Sequence, residues 1–415
     1  MQAEVVRHAL DRVPLSLIID DSTVLINLNY FFMRDYNIDF GHDHRWEDVP
    51  VVHPERFTRE WAEWCVNNGV KGKFSVVPCP AGVGRIDQSL PLFSRQQQDS
   101  WLAMCRETIM PAFDITPEML THTHILDLET FQPLPSRKWE QYHWQALPTD
   151  QEELVTEYIA TSCRILKNVG LTPTGVTSPG GFGGETLDFY AKVAGTAVRQ
   201  ITGNPTPFFF KRLDAAGPVA TQVWYPERSR GRAVGEIVAA TGDWTGGWTG
   251  YDPVDPDRYI GPDLQRGRLP EVIAAGDPAV LCSHWQGMYG LHNGDRRGFK
   301  TLQTVVQRLK ERDPRGEYTR WRKVSEITNY ACARDLMHLT VEGPTVHMEI
   351  PLLVPELTLR LSDTRAHQVL IDGKPLKAAA TRASFESGTF LPQADGSTLL
   401  AFDPVRRNMT LDVQG

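Results

Sequence analysis

A chain of 415 residues with 41% hydrophobic content can bury a large core, and its length fits one large catalytic domain with a smaller companion. The formal net charge of -8 excludes a general nucleic-acid binder, because a surface that tracks phosphates needs clustered Lys and Arg. The one basic cluster, Arg228-Ser229-Arg230-Gly231-Arg232, is short and reads as a solvated loop.

No run approaches the roughly 18 to 20 apolar residues of a membrane span. The N-terminus, Met1-Gln2-Ala3-Glu4, lacks the regions of a signal peptide, so a cytoplasmic protein without membrane contact is expected. The six cysteines show no Cys-x-x-Cys pairing and are expected to be reduced core residues.

The first element is the apolar run Leu15-Ser16-Leu17-Ile18-Ile19, which ends in two carboxylates, Asp20 and Asp21. It predicts a buried parallel strand whose last side chains reach the carboxyl edge of a sheet, where α/β folds place their chemistry. Asn27 to His53 is expected to be a long irregular segment. His53-Pro54 opens a helix over 55–68, with Phe57, Trp61, Trp64 and Cys65 on its core face and Gly69 as its stop. Gly72 to Pro78 reads as the second strand, Ser94 as the cap of a helix reaching Ile109, and Glu118 to His124 as the next strand. A capping-box pattern at Thr149 to Glu152 opens a helix that ends near Gly170.

Thr174 to Thr177 reads as a strand running into the loop Ser178-Pro179-Gly180-Gly181-Phe182-Gly183-Gly184. That loop has no Gly-Lys-Ser/Thr ending, which rejects a phosphate loop. Glu185 to Ala194 is helical, and residues 196–277, rich in Gly, Pro and Trp, give no clear pattern. Ala279 to His284 is a strand and Gly298 to Arg312 a helix. The alternation predicts a parallel βα barrel, or a distorted one, over residues 1–330. Beyond Tyr330, alternating segments such as His347 to Ile350 and Leu357 to Leu361, separated by turns such as Asp372-Gly373-Lys374-Pro375, predict a small all-β sandwich over residues 331–415.

Two histidines two apart on a strand share a face, so His122 and His124 could ligate one divalent ion with an Asp from another strand. The pair His42 and His44 is a rival, but it lies in a loop that holds geometry poorly. Adjacent carboxylates on a strand point opposite ways, so one of Asp20 and Asp21 can bind a metal while the other stays free as a base; capping the next turn is the alternative. Aromatic residues in the loops, among them Trp139, Tyr142, Trp244, Trp248 and Trp285, suit stacking on a sugar face as well as ordinary packing.

The Asp pair after a strand, the His pair, the Pro-Gly loop, Asp243-Trp244 and Leu281-Cys282-Ser283-His284 occur in an order that resembles the polysaccharide deacetylase superfamily, also called the NodB-homology family, over residues 14–325. The resemblance implies a distorted (β/α) barrel of NodB type, followed here by the β-sandwich. It implies Asp20 as catalytic base, Asp21, His122 and His124 as ligands of a divalent metal such as zinc, and His284 as general acid. Pro179, Gly180, Asp243, Trp244 and Trp285 would then face the substrate, with Gln286, Tyr289 and His292 in the following loop. This chain departs from the family in the spacing of its histidines, two instead of four, and in its third motif, Ser178-Pro179-Gly180-Gly181, which has no Arg to orient the base.

The implied function is a metal-dependent hydrolase that removes an acyl group, most simply N-acetyl, from a sugar or polysaccharide. Two rivals remain: a glycoside hydrolase on the same barrel that pairs Asp20 or Asp21 with Asp243, and a non-catalytic carbohydrate-binding protein. The sugar, the metal's identity and homo-oligomerisation stay open.

Overall fold

The computed structural model describes residues 1–290, 294–362, 364 and 366–414, so His292 lies outside the described residues. β1 (Gln2–Val5) precedes β2 (Val13–Asp20), which contains the Leu/Ile run. Every residue of β2 from Pro14 to Asp20 is buried, as a parallel strand covered on both faces requires. The segment expected to be irregular contains α1 (Leu28–Phe40), whose N-terminus is capped by the Asn27 side chain accepting from the Asn29 N–H. Gly41 closes the helix in the left-handed region at φ +71°. Polar Asn29 and Asp35 are buried beside Leu28, Phe31 and Phe32, which blurs the helical period in the sequence.

Next come α2 (Glu55–Asn67), β3 (Gly72–Ser75), α3 (Arg95–Met104) and β4 (Phe113–Thr116). They are followed by α4 (Glu140–His143), α5 (Glu152–Asn168), β5 (Gly175–Thr177) and α6 (Leu187–Thr202). The unpatterned region holds β6 (Phe208–Leu213), β7 (Gln222–Glu227), β8 (Arg232–Ala239), α7 (Pro256–Tyr259) and α8 (Arg268–Ala274). β9 (Ala279–His284), α9 (Trp285–Tyr289), α10 (Arg297–Arg312), β10 (Thr319–Trp321) and α11 (Val324–Leu336) complete this part.

β2 runs parallel to three strands, β3, β9 and β10, and β3 is parallel to β4. Gly72 permits the close approach of β3 to β2, because a Cβ there would come within 1.8 Å of the Leu17 carbonyl oxygen. A second sheet has the order β5-β6-β8-β7, with only β7 antiparallel. The two sheets meet twice: the Thr177 N–H donates to the Pro117 carbonyl beyond β4 (2.9 Å), and the Ala240 N–H beyond β8 donates to Val280 of β9 (2.7 Å). Ile18, Phe210, Ile237, Val280 and Cys282 from both sheets share one apolar cluster with Ile327 of α11. Outside the strands, Trp61, Phe74, Trp101 and Phe113 pack with α2 and α3, while Ile159, Tyr190 and Phe209 pack with α5 and α6. The carboxyl ends of the parallel strands therefore gather Asp20, Ser75, Thr116, Thr177 and His284 at one edge.

The remaining strands are β11 (His338–Glu342), β12 (Thr345–Glu349), β13 (Leu357–Ser362), β14 (Gln368–Ile371), β15 (Lys374–Pro375), β16 (Lys377–Ala378), β17 (Thr389–Pro392), β18 (Thr398–Phe402) and β19 (Asn408–Gln414). One sheet, β11-β12-β19-β14-β15, is antiparallel throughout. The other has the order β1-β13-β18-β17-β16. Val346, Leu359, Val369, Leu400 and Leu411 from the two sheets form a common core. β1, counted with the first domain on sequence, is thus hydrogen-bonded to β13 in the C-terminal sandwich. All six cysteines are free and buried, and no helix among the described residues is long and apolar enough to cross a membrane.

Candidate functional site

Asp20 ends β2 on the inner face, directly beside His284 at the end of β9. Its Oδ1 accepts from the Ser75 hydroxyl (3.0 Å) and from the Lys73 ammonium. Lys73 is fully buried and also donates to Ser75 Oγ (2.8 Å) and Thr177 Oγ1 (2.7 Å). Burial raises the Asp20 carboxyl above the ordinary carboxylate range even though Lys73 pulls it down. A buried Lys inside a Gly-Lys-Phe-Ser-Val strand is the signal that sequence reading passed over, because a charge there needs a partner.

Asp21 turns away from its neighbour with φ +61°, and its backbone N–H donates to Glu118 Oε2 (2.8 Å). The strand expected over Glu118 to His124 is a loop: β4 stops at Thr116, Pro117 follows, and Met119 and His122 take positive φ. The two histidines therefore do not share a strand face. His122 Nε2 lies 2.8 Å from Asp21 Oδ1 and 3.4 Å from Glu118 Oε1, whereas His124 Nε2 lies 2.6 Å from Asp39 Oδ2. Asp39 also accepts from Arg137 Nε (2.6 Å) and Trp139 Nε1 (2.8 Å), so His124 belongs to a packing cluster beside α1.

Asp21, Glu118 and His122 form the group whose ligand atoms converge. The buried Asp21 Oδ1 meets the His122 imidazole as an ion pair and takes no other hydrogen bond among the described residues. Two carboxylate oxygens and an imidazole nitrogen within reach of one another make a donor set that fits a divalent cation. Burial opposes charge on both residues, but His122 brings Asp21 below its ordinary range, and Asp21 and Glu118 hold His122 well above its own. Glu118 was missed because its contact with Asp21 spans 97 residues of sequence; its one sequence signal is an acid four positions before a histidine.

Glu140 fixes the loop that carries His122. It is fully buried and accepts from the N–H groups of Leu120 (3.0 Å), Thr121 (3.0 Å) and His122 (2.7 Å) and from Tyr158 Oη (2.7 Å). Burial pushes its carboxyl up to about 7 against these donors. Glu140→Ala leaves three backbone donors without their acceptor. We expect it to cost about 3 kcal/mol or more in urea unfolding and to lower metal retention in equilibrium dialysis; unchanged stability and metal content would remove Glu140 from this role.

Asp243, expected to face the substrate, is turned to His284 and Thr245. Its Oδ2 lies 2.8 Å from His284 Nδ1 and accepts the His284 N–H, and its Oδ1 accepts from Thr245 N and Oγ1 (2.9 and 2.6 Å). Burial would lower the imidazole, but the bond to Asp243 and the charges of Asp21 and Asp20 push it up to about 10. Asp243 is held below its ordinary range by the same pair against its own burial.

Trp285 is likewise corrected: it is buried against Phe57, Trp61 and Phe74, with its ring centroid within 5.6 Å of each, so no face is left for a sugar. Trp244 packs on Tyr259 and beneath Arg258. Pro179 is buried, while the exposed Gly180 offers its carbonyl to Lys211 Nζ (2.9 Å). His42 and His44 join an aromatic group with Tyr36, and His44 Nδ1 lies 3.0 Å from Asn37 Oδ1. Phe32 links that group to the site, with its ring 5.8 Å from His122 and 5.5 Å from the exposed Trp248.

No family model matches the chain, and no curated protein matches its sequence. Among solved structures it is similar to a protein from Mycobacterium smegmatis described as a candidate polysaccharide deacetylase, at 14% identity and TM-score 0.45, covering 82% of this chain and 99% of that one. It is also similar to a GH57 branching enzyme from Thermococcus kodakaraensis, at 11% identity and TM-score 0.37, covering 75% and 70%. A cycloalternan-forming enzyme from Listeria monocytogenes gives 9% identity and TM-score 0.37, covering 99% and 55%. With TM-scores below 0.5, these likenesses leave the chemistry to be read from the side chains.

Proposed function

We propose that the chain is a metal-dependent hydrolase that removes an acyl group, most simply N-acetyl, from a sugar or polysaccharide. The observation that carries this reading is the convergence of buried Asp20, His284 and the group of Asp21, Glu118 and His122 beyond the carboxyl ends of the strands. Asp21, Glu118 and His122 would hold the ion. A bound divalent cation such as zinc supplies Lewis acidity toward the acyl carbonyl and a lowered pKa for the attacking water.

The chain's own residues do the rest. Asp20 takes the proton of the attacking water, since its raised pKa makes it a stronger base than a free carboxylate. His284 keeps its proton at neutral pH through Asp243 and gives it to the departing amine. Exposed Trp248, which packs on Phe32 as His122 does, and exposed Tyr142, which packs on Tyr36, would offer faces for a sugar ring. The fold that goes with this reading is a distorted (β/α) barrel formed by the two parallel sheets over residues 1–330, with residues 331–415 as a sandwich that also takes in β1.

The glycoside hydrolase rival loses support from Asp243. In that reading Asp243, held below its ordinary range, would have to be the ionised base or nucleophile, yet both its oxygens are already committed to His284 and Thr245.

The test is acetate release from N-acetylchitooligosaccharides by the zinc-loaded protein, run beside a reducing-sugar assay. Acetate release without chain cleavage supports the proposal, and chain cleavage without acetate overturns it. The pH profile gives a second check. A general acid must carry its proton, so kcat/KM is expected to fall as pH rises through about 10. Asp243→Asn removes the strongest influence that raises His284, so its alkaline limb should move toward neutrality; an unmoved limb argues against His284 as the acid.

A further inference from the structure

We propose that Lys73 is the positioning residue of the catalytic base: its ammonium fixes the Asp20 carboxylate through Oδ1 and leaves Oδ2 to take the water proton. The inference rests on the reading of Asp20 as the base. Among the described residues the hydrogen bonds to this carboxylate come only from Lys73 and Ser75, both to Oδ1.

The geometry is specific. Lys73 reaches the inner face from β3 and spends its three donors on Asp20 of β2, Ser75 of its own strand and Thr177 of β5. Thr177 is in turn 2.8 Å from Thr116 Oγ1 of β4, and the ring of Phe210 on β6 lies 5.3 Å from the ammonium. Five strands thus hold one cation in place. A buried ion pair of this kind is no more stabilising than apolar residues of the same volume, so stability gives no reason for a charge here. Orientation of a reacting carboxylate does give one.

The experiment compares wild type, Lys73→Met, Thr177→Val and each change in an Asp20→Asn background, all zinc-loaded, with N-acetylchitopentaose as probe. Lys73→Met is expected to lower kcat by on the order of 10²-fold while KM and bound zinc stay near wild type. Thr177→Val, which removes one acceptor but leaves the ion pair, should lower kcat by less and serves if Lys73→Met fails to fold. In the Asp20→Asn background neither change should lower the residual rate further, which a general structural role would not predict. Lys73→Met with wild-type kcat, or an equal loss with and without Asp20, overturns the proposal. If wild type releases no acetate, the functional reading fails by itself. The positioning role is then decided by crystal structures of Lys73→Met or Thr177→Val: an Asp20 carboxylate that keeps its rotamer in both overturns it, and one that swings away supports it.

Discussion

Asp20→Asn is expected to lower kcat for acetate release by on the order of 10² to 10⁴-fold, the usual contribution of a general base, with bound zinc unchanged. The amide keeps the size of the side chain but cannot accept a proton at neutral pH. The change also leaves the Lys73 ammonium buried without its counter-charge, and removal of one partner of a buried pair costs about 3 to 5 kcal/mol. Rates should therefore be read well below the variant's melting temperature, beside metal analysis of the same sample. A variant that keeps kcat within about tenfold of wild type would place the proton acceptor elsewhere.

The second large effect separates the two histidines. His122→Ala and Asp21→Ala are expected to abolish stoichiometric zinc binding in elemental analysis, and activity with it, because each removes a donor from a three-residue set. His124→Ala is expected to keep the metal, since its Nε2 is committed to Asp39. It should instead destabilise the packing of Trp139 against Phe32 and Phe40. Equal loss of zinc in His122→Ala and His124→Ala would contradict the loop geometry. So would zinc retained in Glu118→Gln at wild-type affinity.

Strongly patterned elements were legible in the sequence: β2 and β9 as apolar runs, α2 and α10 from their helical spacing, and the strands past Tyr330 from alternation and turns. α1 was hidden because packing buries its Asn29 and Asp35, which removes the contrast between faces. The segment 118–124 looked like a strand because β propensity carries no information about positive φ at Met119 and His122. The site divides along the same line. Asp20 and His284 end neighbouring strands whose apolar runs the sequence displays, and Asp21, next in the chain, meets His122 across a loop. Glu118, Lys73 and Glu140 owe their roles to partners 53 to 97 residues away or to a loop's exact path, so only the folded chain reveals them. Trp285 shows the converse: an aromatic next to a site residue was taken for a binding face, and burial among three other rings decided otherwise.

The pairing of β1 with β13 couples residues more than 350 positions apart in the chain, with Val5 beside Leu359. During synthesis β1 must wait, unpaired, while the whole intervening parallel assembly is translated. The C-terminal strands then close on β1 like a clasp. Such non-local pairing is slow to form, and it ties the two parts into a shared unfolding event. A fragment beginning at residue 331 would expose the edge of β13 that β1 covers, an invitation to pair with another molecule, so excising the sandwich for separate study calls for grafting the first residues back onto it.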